Sequence, residues 1–145
     1  MPVLEQVLEI YPEDVKIAFK NFPLKNHKFA MPAAIAALAA GEQGKFWEFH
    51  DLLFENYNRL NDQKIQEISV AVGLNPAEYE KKKKDPALKR RVNQDFLEGR
   101  QAGVRGTPTI FINGVRLRDR SLKGFQAAID KQLQKRGQTA TQPSS

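Results

Sequence analysis

A residue pattern suited to β-strands, with a period near two, is confined to two short stretches of this chain, which limits any β-sheet to a few strands. In the first, Val15, Ile17 and Phe19 alternate with Lys16, Ala18 and Lys20, a period of two rich in β-branched and aromatic residues that predicts a strand over residues 15–21. In the second, Thr109-Ile110-Phe111-Ile112 and Val115-Arg116-Leu117 flank Asn113-Gly114. That dipeptide readily takes the positive φ angles of a type I′ turn, so the stretch reads as a hairpin.

Everything between and around these stretches has helical spacing. Val3, Leu4, Val7, Leu8 and Tyr11 form a first helix that Pro12 ends. Phe29, Ala33, Ala37 and Leu38 mark a second apolar stripe. Phe46, Phe49, Leu53 and Tyr57 mark a third beyond Gly41 and Gly44. Phe46, Trp47, Phe49, Phe54 and Tyr57 are expected to build core rather than a ligand pocket. Asp62 is placed to cap a helix through Ile65, Ile68 and Val72 that stops at Gly73. Asn75-Pro76 with Glu78, and Asp85-Pro86, combine a cap with a first-turn proline at two further helix starts. Leu88, Val92 and Phe96 share one face of the next helix, where Gly99 and Gly103 allow close packing and then a stop. Ser121 caps a last helix through Leu122, Phe125, Ile129 and Leu133, and residues 137–145, all small or polar apart from one proline, read as a flexible tail. The fold class is therefore α/β, α-rich, with a small sheet.

With 145 residues and 41% apolar side chains, the chain makes one domain with a real core. The apolar run at residues 30–40 is far shorter than the roughly 18 residues a bilayer crossing needs, so no membrane partner is expected. Cysteine is absent, which removes disulfides, thiolate catalysis and thiolate metal sites. The chain opens directly on an amphipathic pattern without an export signal, a cytoplasmic reading of the polypeptide as given.

Three blocks carry a family resemblance: Val104-Arg105-Gly106-Thr107-Pro108-Thr109-Ile110-Phe111-Ile112-Asn113-Gly114, the segment of residues 15–24, and Gln43-Gly44-Lys45-Phe46-Trp47-Glu48-Phe49-His50 running on to Phe54. Gly106-Thr107-Pro108-Thr109 before a hydrophobic strand is similar to the cis-proline loop of the thioredoxin fold. Together, over about residues 2–135, the blocks resemble the DsbA-like thiol:disulfide oxidoreductases. The resemblance implies a domain over residues 1–136, with a helical insertion at about 24–104. It also implies an absent first central strand, because the family's Cys-x-x-Cys precedes a helix that here begins at Pro2. The lost strand would lie between the strands at 15–21 and at Thr109, so either a homodimer or a rearranged sheet is expected to fill the gap.

Disulfide exchange needs a thiolate, so the family's oxidoreductase activity does not transfer to this chain, and no catalytic residue and no cofactor is expected. Redox-active relatives are typically extracytoplasmic in bacteria. What does transfer is the proline loop: Thr107 and Pro108, with a cis bond between them, are the expected binding site for an extended polypeptide, paired as an added strand.

Charge supplies the alternative. Residues 1–75 hold 7 basic and 10 acidic side chains, and residues 76–145 hold 16 and 7. The densest basic run, Lys81, Lys82, Lys83, Lys84, Lys89, Arg90 and Arg91, is a candidate anion site, and the basic half a candidate nucleic-acid-binding module. Few aromatics accompany the run, so a solvated helix face is the simpler expectation. His27 and His50, the only imidazoles, fit no metal-ligand spacing, and His50-Asp51 has no nucleophile elbow to serve. Arg116, Arg118 and Arg120 alternate along the hairpin and are expected to share a solvent face.

Overall fold

The computed structural model describes the backbone of residues 2–141 and the side chains of residues 2–137. Among the described residues are seven α-helices, one 3-10 turn at Tyr57–Arg59 and one hairpin: α1 Pro2–Ile10, α2 Ala30–Gly41, α3 Phe46–Glu55, α4 Asp62–Ala71, α5 Pro76–Lys83, α6 Pro86–Gln101, β1 Phe111–Ile112, β2 Val115–Arg116 and α7 Leu122–Thr141. They divide into two compact units, Lys20–Gly106 and the remainder of the chain.

The helical unit is built around α2. Ala33, Ala36, Ala37, Leu38, Ala39 and Ala40 are all buried, so this helix faces neighbours on most of its circumference rather than along the single stripe its spacing suggests. Methyl side chains let those neighbours approach closely, and α2 contacts α3, α4, α5 and α6. Phe49, Leu53, Ile65, Ile68, Leu74, Tyr79, Leu88 and Val92 complete the same cluster. Helix starts follow local chemistry. Asn75 accepts from the Glu78 N–H at 3.1 Å, and Asp85 from the Ala87 N–H at 2.9 Å. At α4 the cap is Asn61, which accepts from the Lys64 N–H at 2.7 Å. Asp62 instead occupies the first helical position, where its carboxylate still suits the positive helix end. Gly103, at φ 84°, ends α6 in a Schellman turn, with Val104 N–H donating to Gly99 at 2.9 Å and Gly103 N–H to Arg100 at 3.1 Å.

The aromatic stretch of α3 divides differently from the expected core. Phe49 is buried, whereas Trp47 is 46%, Phe54 59% and Tyr57 73% exposed. Phe46, one turn before Phe49 and two before Leu53, packs partly against the same cluster, whereas Trp47 and Phe54 stand about 100° or more around α3 from Phe49 and Leu53.

Residues 15–21 belong to no sheet; the one ladder among the described residues joins β1 to β2. Val15 and Ile17 are half-buried while Lys16 and Ala18 are exposed, but Phe19 is 37% exposed, so the period of two survives in burial only as far as Ala18. A strand also requires a partner ladder, and among the described residues none lies beside this segment. The rearranged sheet in which this segment would join the Thr109 strand therefore does not form. Instead Asn21 anchors the segment's end to α6. Its backbone N–H and its Nδ2 each donate to Asp95 Oδ2 at 3.0 Å, with both residues buried.

In the other unit, Val7 of α1 packs with Phe125 and Ile129 of α7, and Ile110, Ile112 and Leu117 of the hairpin close over them. The hairpin pairs Phe111 with Arg116 and Ile112 with Val115, and Leu117 N–H donates to Ile110 at 2.8 Å. Asn113 at φ 47° and Gly114 at φ 80° make the expected turn. Helix α7 continues to Thr141, so the tail expected from Gly137 is helical in its first part, because nothing there breaks a helix already nucleated. Residues 142–145 lie outside the described residues.

Two substitutions test the helical unit. Asp95→Ala leaves two buried donors of Asn21 without an acceptor and is expected to cost about 2–4 kcal/mol in denaturant unfolding. Tyr79 is 1% exposed, and its hydroxyl has no hydrogen-bond partner among the described residues. Burial, and then the neighbouring Glu80 carboxylate, push its pKa from 10.0 to about 12. The unfolded chain releases this proton first, so stability falls as pH rises through this window. Tyr79→Phe is expected to raise stability by about 1 kcal/mol at neutral pH. Its advantage over the parent should widen in melts from pH 10 to 12.

Candidate functional site

The site is assembled from the loop that enters the hairpin and the strand that leaves it. Thr107 and Pro108 are exposed, and the peptide bond between them is cis. Pro108 and Thr109 line an open concavity with Arg116, Leu117, Arg118 and Arg120. Leu117 turns toward Val7, Phe125 and Ile129, so Arg116 and Arg118, on either side of it, project the other way and are exposed. Arg120 donates from Nη1 to the Pro108 carbonyl at 3.0 Å, tying the outgoing strand to the loop.

Just beyond Arg120, the start of α7 is fixed by local hydrogen bonds. Asp119 Oδ1 accepts from the Ser121 N–H at 3.0 Å, and Ser121 Oγ accepts from the Gly124 N–H at 3.2 Å. The Ser121 hydroxyl, and then its backbone N–H, hold the Asp119 carboxyl below its ordinary 3.8. This cap contributes stability above the ordinary carboxylate range and loses it as pH falls through the lowered value. Gly124 has no room for a side chain: a Cβ there would collide with the Asp119 carbonyl oxygen and lie 2.6 Å from Asp119 Cγ.

The basic run lies on α5 and α6 in the helical unit and is partly neutralised. Lys82 pairs with Asp85 at 3.2 Å and Glu42 at 3.6 Å. These two partners, Asp85 first, raise the Lys82 pKa above its ordinary value. Lys83 pairs with Glu80 at 3.1 Å and stands 4.7 Å over the Tyr79 ring. Lys81, Lys84, Lys89, Arg90 and Arg91 are exposed. His27 lies on an exposed turn. His50 sits among Phe46, Trp47 and Phe54, with ring centroids 5.9, 5.3 and 4.5 Å away. Its Nδ1 is 3.2 Å from Asp51 Oδ1. Among the described residues no group of three or more His, Asp or Glu side chains could hold a metal ion.

Sequence reasoning placed Thr107 and Pro108 here but missed what surrounds them. The Arg120 contact with Pro108 spans twelve residues and has no local signature. Asp95 did leave a signal: an acid at the position three after Val92 and four before Gly99, on the face that otherwise packs.

This helix-rich chain, with a glycine-turn hairpin that follows a cis-proline loop, has an α-rich α/β thioredoxin-like fold. It superposes on the crystal structure of the thiol-disulfide exchange protein alpha-DsbA2 from Wolbachia pipientis with a TM-score of 0.76 and 23% identity, over 90% of this chain and 71% of that one. Residues 1–130 match the DSBA-like thioredoxin domain, and the chain belongs to that family. It is also 34% identical over 116 residues to the Na(+)/H(+) antiporter NhaA 3 of Salinispora tropica, covering 79% of this chain and 18% of that protein. The Na(+)/H(+) antiporter NhaA of Herminiimonas arsenicoxydans is 29% identical over 108 residues, or 74% and 17%. The chain thus spans less than a fifth of the length of these curated relatives. Among the described residues no helix is long and apolar enough to cross a membrane.

Gly124→Ala is expected to displace the Asp119 segment and cost about 1–3 kcal/mol by overpacking. Lys123→Ala, on the exposed side of the same turn, should stay within about 0.5 kcal/mol in parallel thermal melts.

Proposed function

We propose that this chain holds an extended polypeptide at the Thr107–Pro108 loop and does not itself exchange disulfides. The observation that carries the reading is the exposed loop forming one wall of a concavity whose other wall is a hairpin strand. The hairpin has only two strands among the described residues, so an added strand has an edge to extend. Family membership supports a polypeptide as the occupant. The absence of cysteine removes the nucleophile, the leaving group and the mixed-disulfide intermediate from any exchange step this chain would perform.

A second copy of the chain competes for the same edge. Phe111 and Val115 are apolar side chains left exposed on the hairpin, and pairing across an edge is the usual route by which such strands associate. Self-association is therefore the second reading.

Insulin mixed with the protein and dithiothreitol is expected to precipitate no faster than with dithiothreitol alone; faster precipitation overturns the redox part. Titrating an isotopically labelled sample with an unstructured peptide to about 1 mM, enough to detect roughly −4 kcal/mol of binding, should move amide signals of residues 107–112 and 115–118 first. Shifts confined to α3 or α5, or none at all, overturn the peptide reading. Light scattering over a concentration series should report a dimer if the second copy takes the edge, and a constant monomer mass removes that reading.

A further inference from the structure

The peptide-binding concavity carries an electrostatic preference. Resting on the peptide reading above, we propose that its partner is an acidic extended segment, with Asp or Glu at alternate positions facing Arg116 and Arg118.

Arg116, Arg118 and Arg120 place three guanidinium groups within five residues, all exposed and all lining the same concavity. No ion pair neutralises any of them among the described residues. The one acid in the segment, Asp119, is engaged instead by the Ser121 N–H and hydroxyl, so its charge is spent on the helix cap. Arg120 is oriented by the Pro108 carbonyl through a single Nη1 contact, leaving its other donors available.

Geometry matches the charge. Same-face residues two apart in an extended segment are about 7 Å apart, the same repeat that an extended ligand presents with its own alternate side chains. A guanidinium fork also recognises carboxylate in a bidentate manner that an ammonium cannot. The lysine run of α5 lacks this combination, because Lys82 and Lys83 already have carboxylate partners. A nucleic-acid strand is the poorer occupant: none of the residues lining the concavity is aromatic, so bases would have no ring to stack on.

The test uses the full chain and calorimetric titration with capped peptides of about eight residues, Glu-Thr, Gln-Thr and Lys-Thr repeats, and with an oligothymidylate of similar length. Exposed pairs contribute a few-fold each, so at about 20 mM salt the Glu peptide should bind about 10-fold tighter than the Gln peptide, with the Lys peptide weakest. Screening should shrink the preference to about 2-fold near 0.3 M salt. In the Arg116→Gln/Arg118→Gln variant the Glu-to-Gln affinity ratio should fall to about 2 at low salt, with circular dichroism unchanged. Equal affinity of the parent for the Glu and Gln peptides overturns this inference while leaving the peptide reading intact. Failure of every peptide to bind overturns both. Tighter binding of the oligothymidylate than of the Glu peptide, lost in the double variant, assigns the arginines to nucleic acid and overturns the inference.

Discussion

Close approach of helices to the alanine surface of α2 is the constraint on which the helical unit depends. Six consecutive or nearly consecutive positions from Ala33 to Ala40 are buried, and four other helices contact this one. A helix with large side chains on all those faces would hold its neighbours apart and leave voids between them. With methyl groups there, the large residues can come from outside: Phe49, Leu53, Ile65, Ile68, Tyr79, Leu88 and Val92 fill the spaces between helices. The polar clamp between Gln43 and Asn75, with bonds of 2.8 and 3.3 Å in opposite directions, then ties the end of α2 to the start of α5.

The hairpin unit solves a different problem with fewer residues. Two-residue strands form little ladder, so the hairpin's position is set by side chains beneath it: Ile110, Ile112 and Leu117 against Val7, Phe125 and Ile129. Tyr11 of the segment after α1 donates to Asp130 on α7 at 2.7 Å, adding a polar tie to this packing. Alternation then sorts the side chains between core and solvent. Each residue turned inward for packing leaves its neighbours turned outward, and in the strand after the turn those neighbours are arginines.

Cysteine is absent from this chain, yet the fold of the family is present. Thiol–disulfide exchange depends on a cysteine thiolate, which this chain does not contain. The loop and the hairpin depend on backbone geometry and apolar packing, and neither requires cysteine. A member of the DSBA-like thioredoxin domain family can therefore keep its fold without a cysteine.

Helix positions, the caps at Asn75, Asp85 and Ser121, the Asn113-Gly114 turn and the family were legible in the residues because the caps and turn rest on interactions within a few positions along the chain, whereas the cap expected at Asp62 is made by Asn61. The period of two at residues 15–21 was legible too, and the inward and outward turning of Val15 to Ala18 follows it. Whether that period becomes a strand was not, since a ladder depends on a partner distant in sequence. The same limit applies to the aromatics of α3. Helical spacing groups Phe46, Phe49 and Leu53 closely, and only the position of α2 decides that this face is covered while Phe54, on the neighbouring face, is exposed. Asp95 with Asn21, and Arg120 with Pro108, join residues 74 and 12 positions apart. Local propensity carries no information about such distances; packing of whole elements brings those groups within hydrogen-bonding range, and that was decided by the tertiary structure alone.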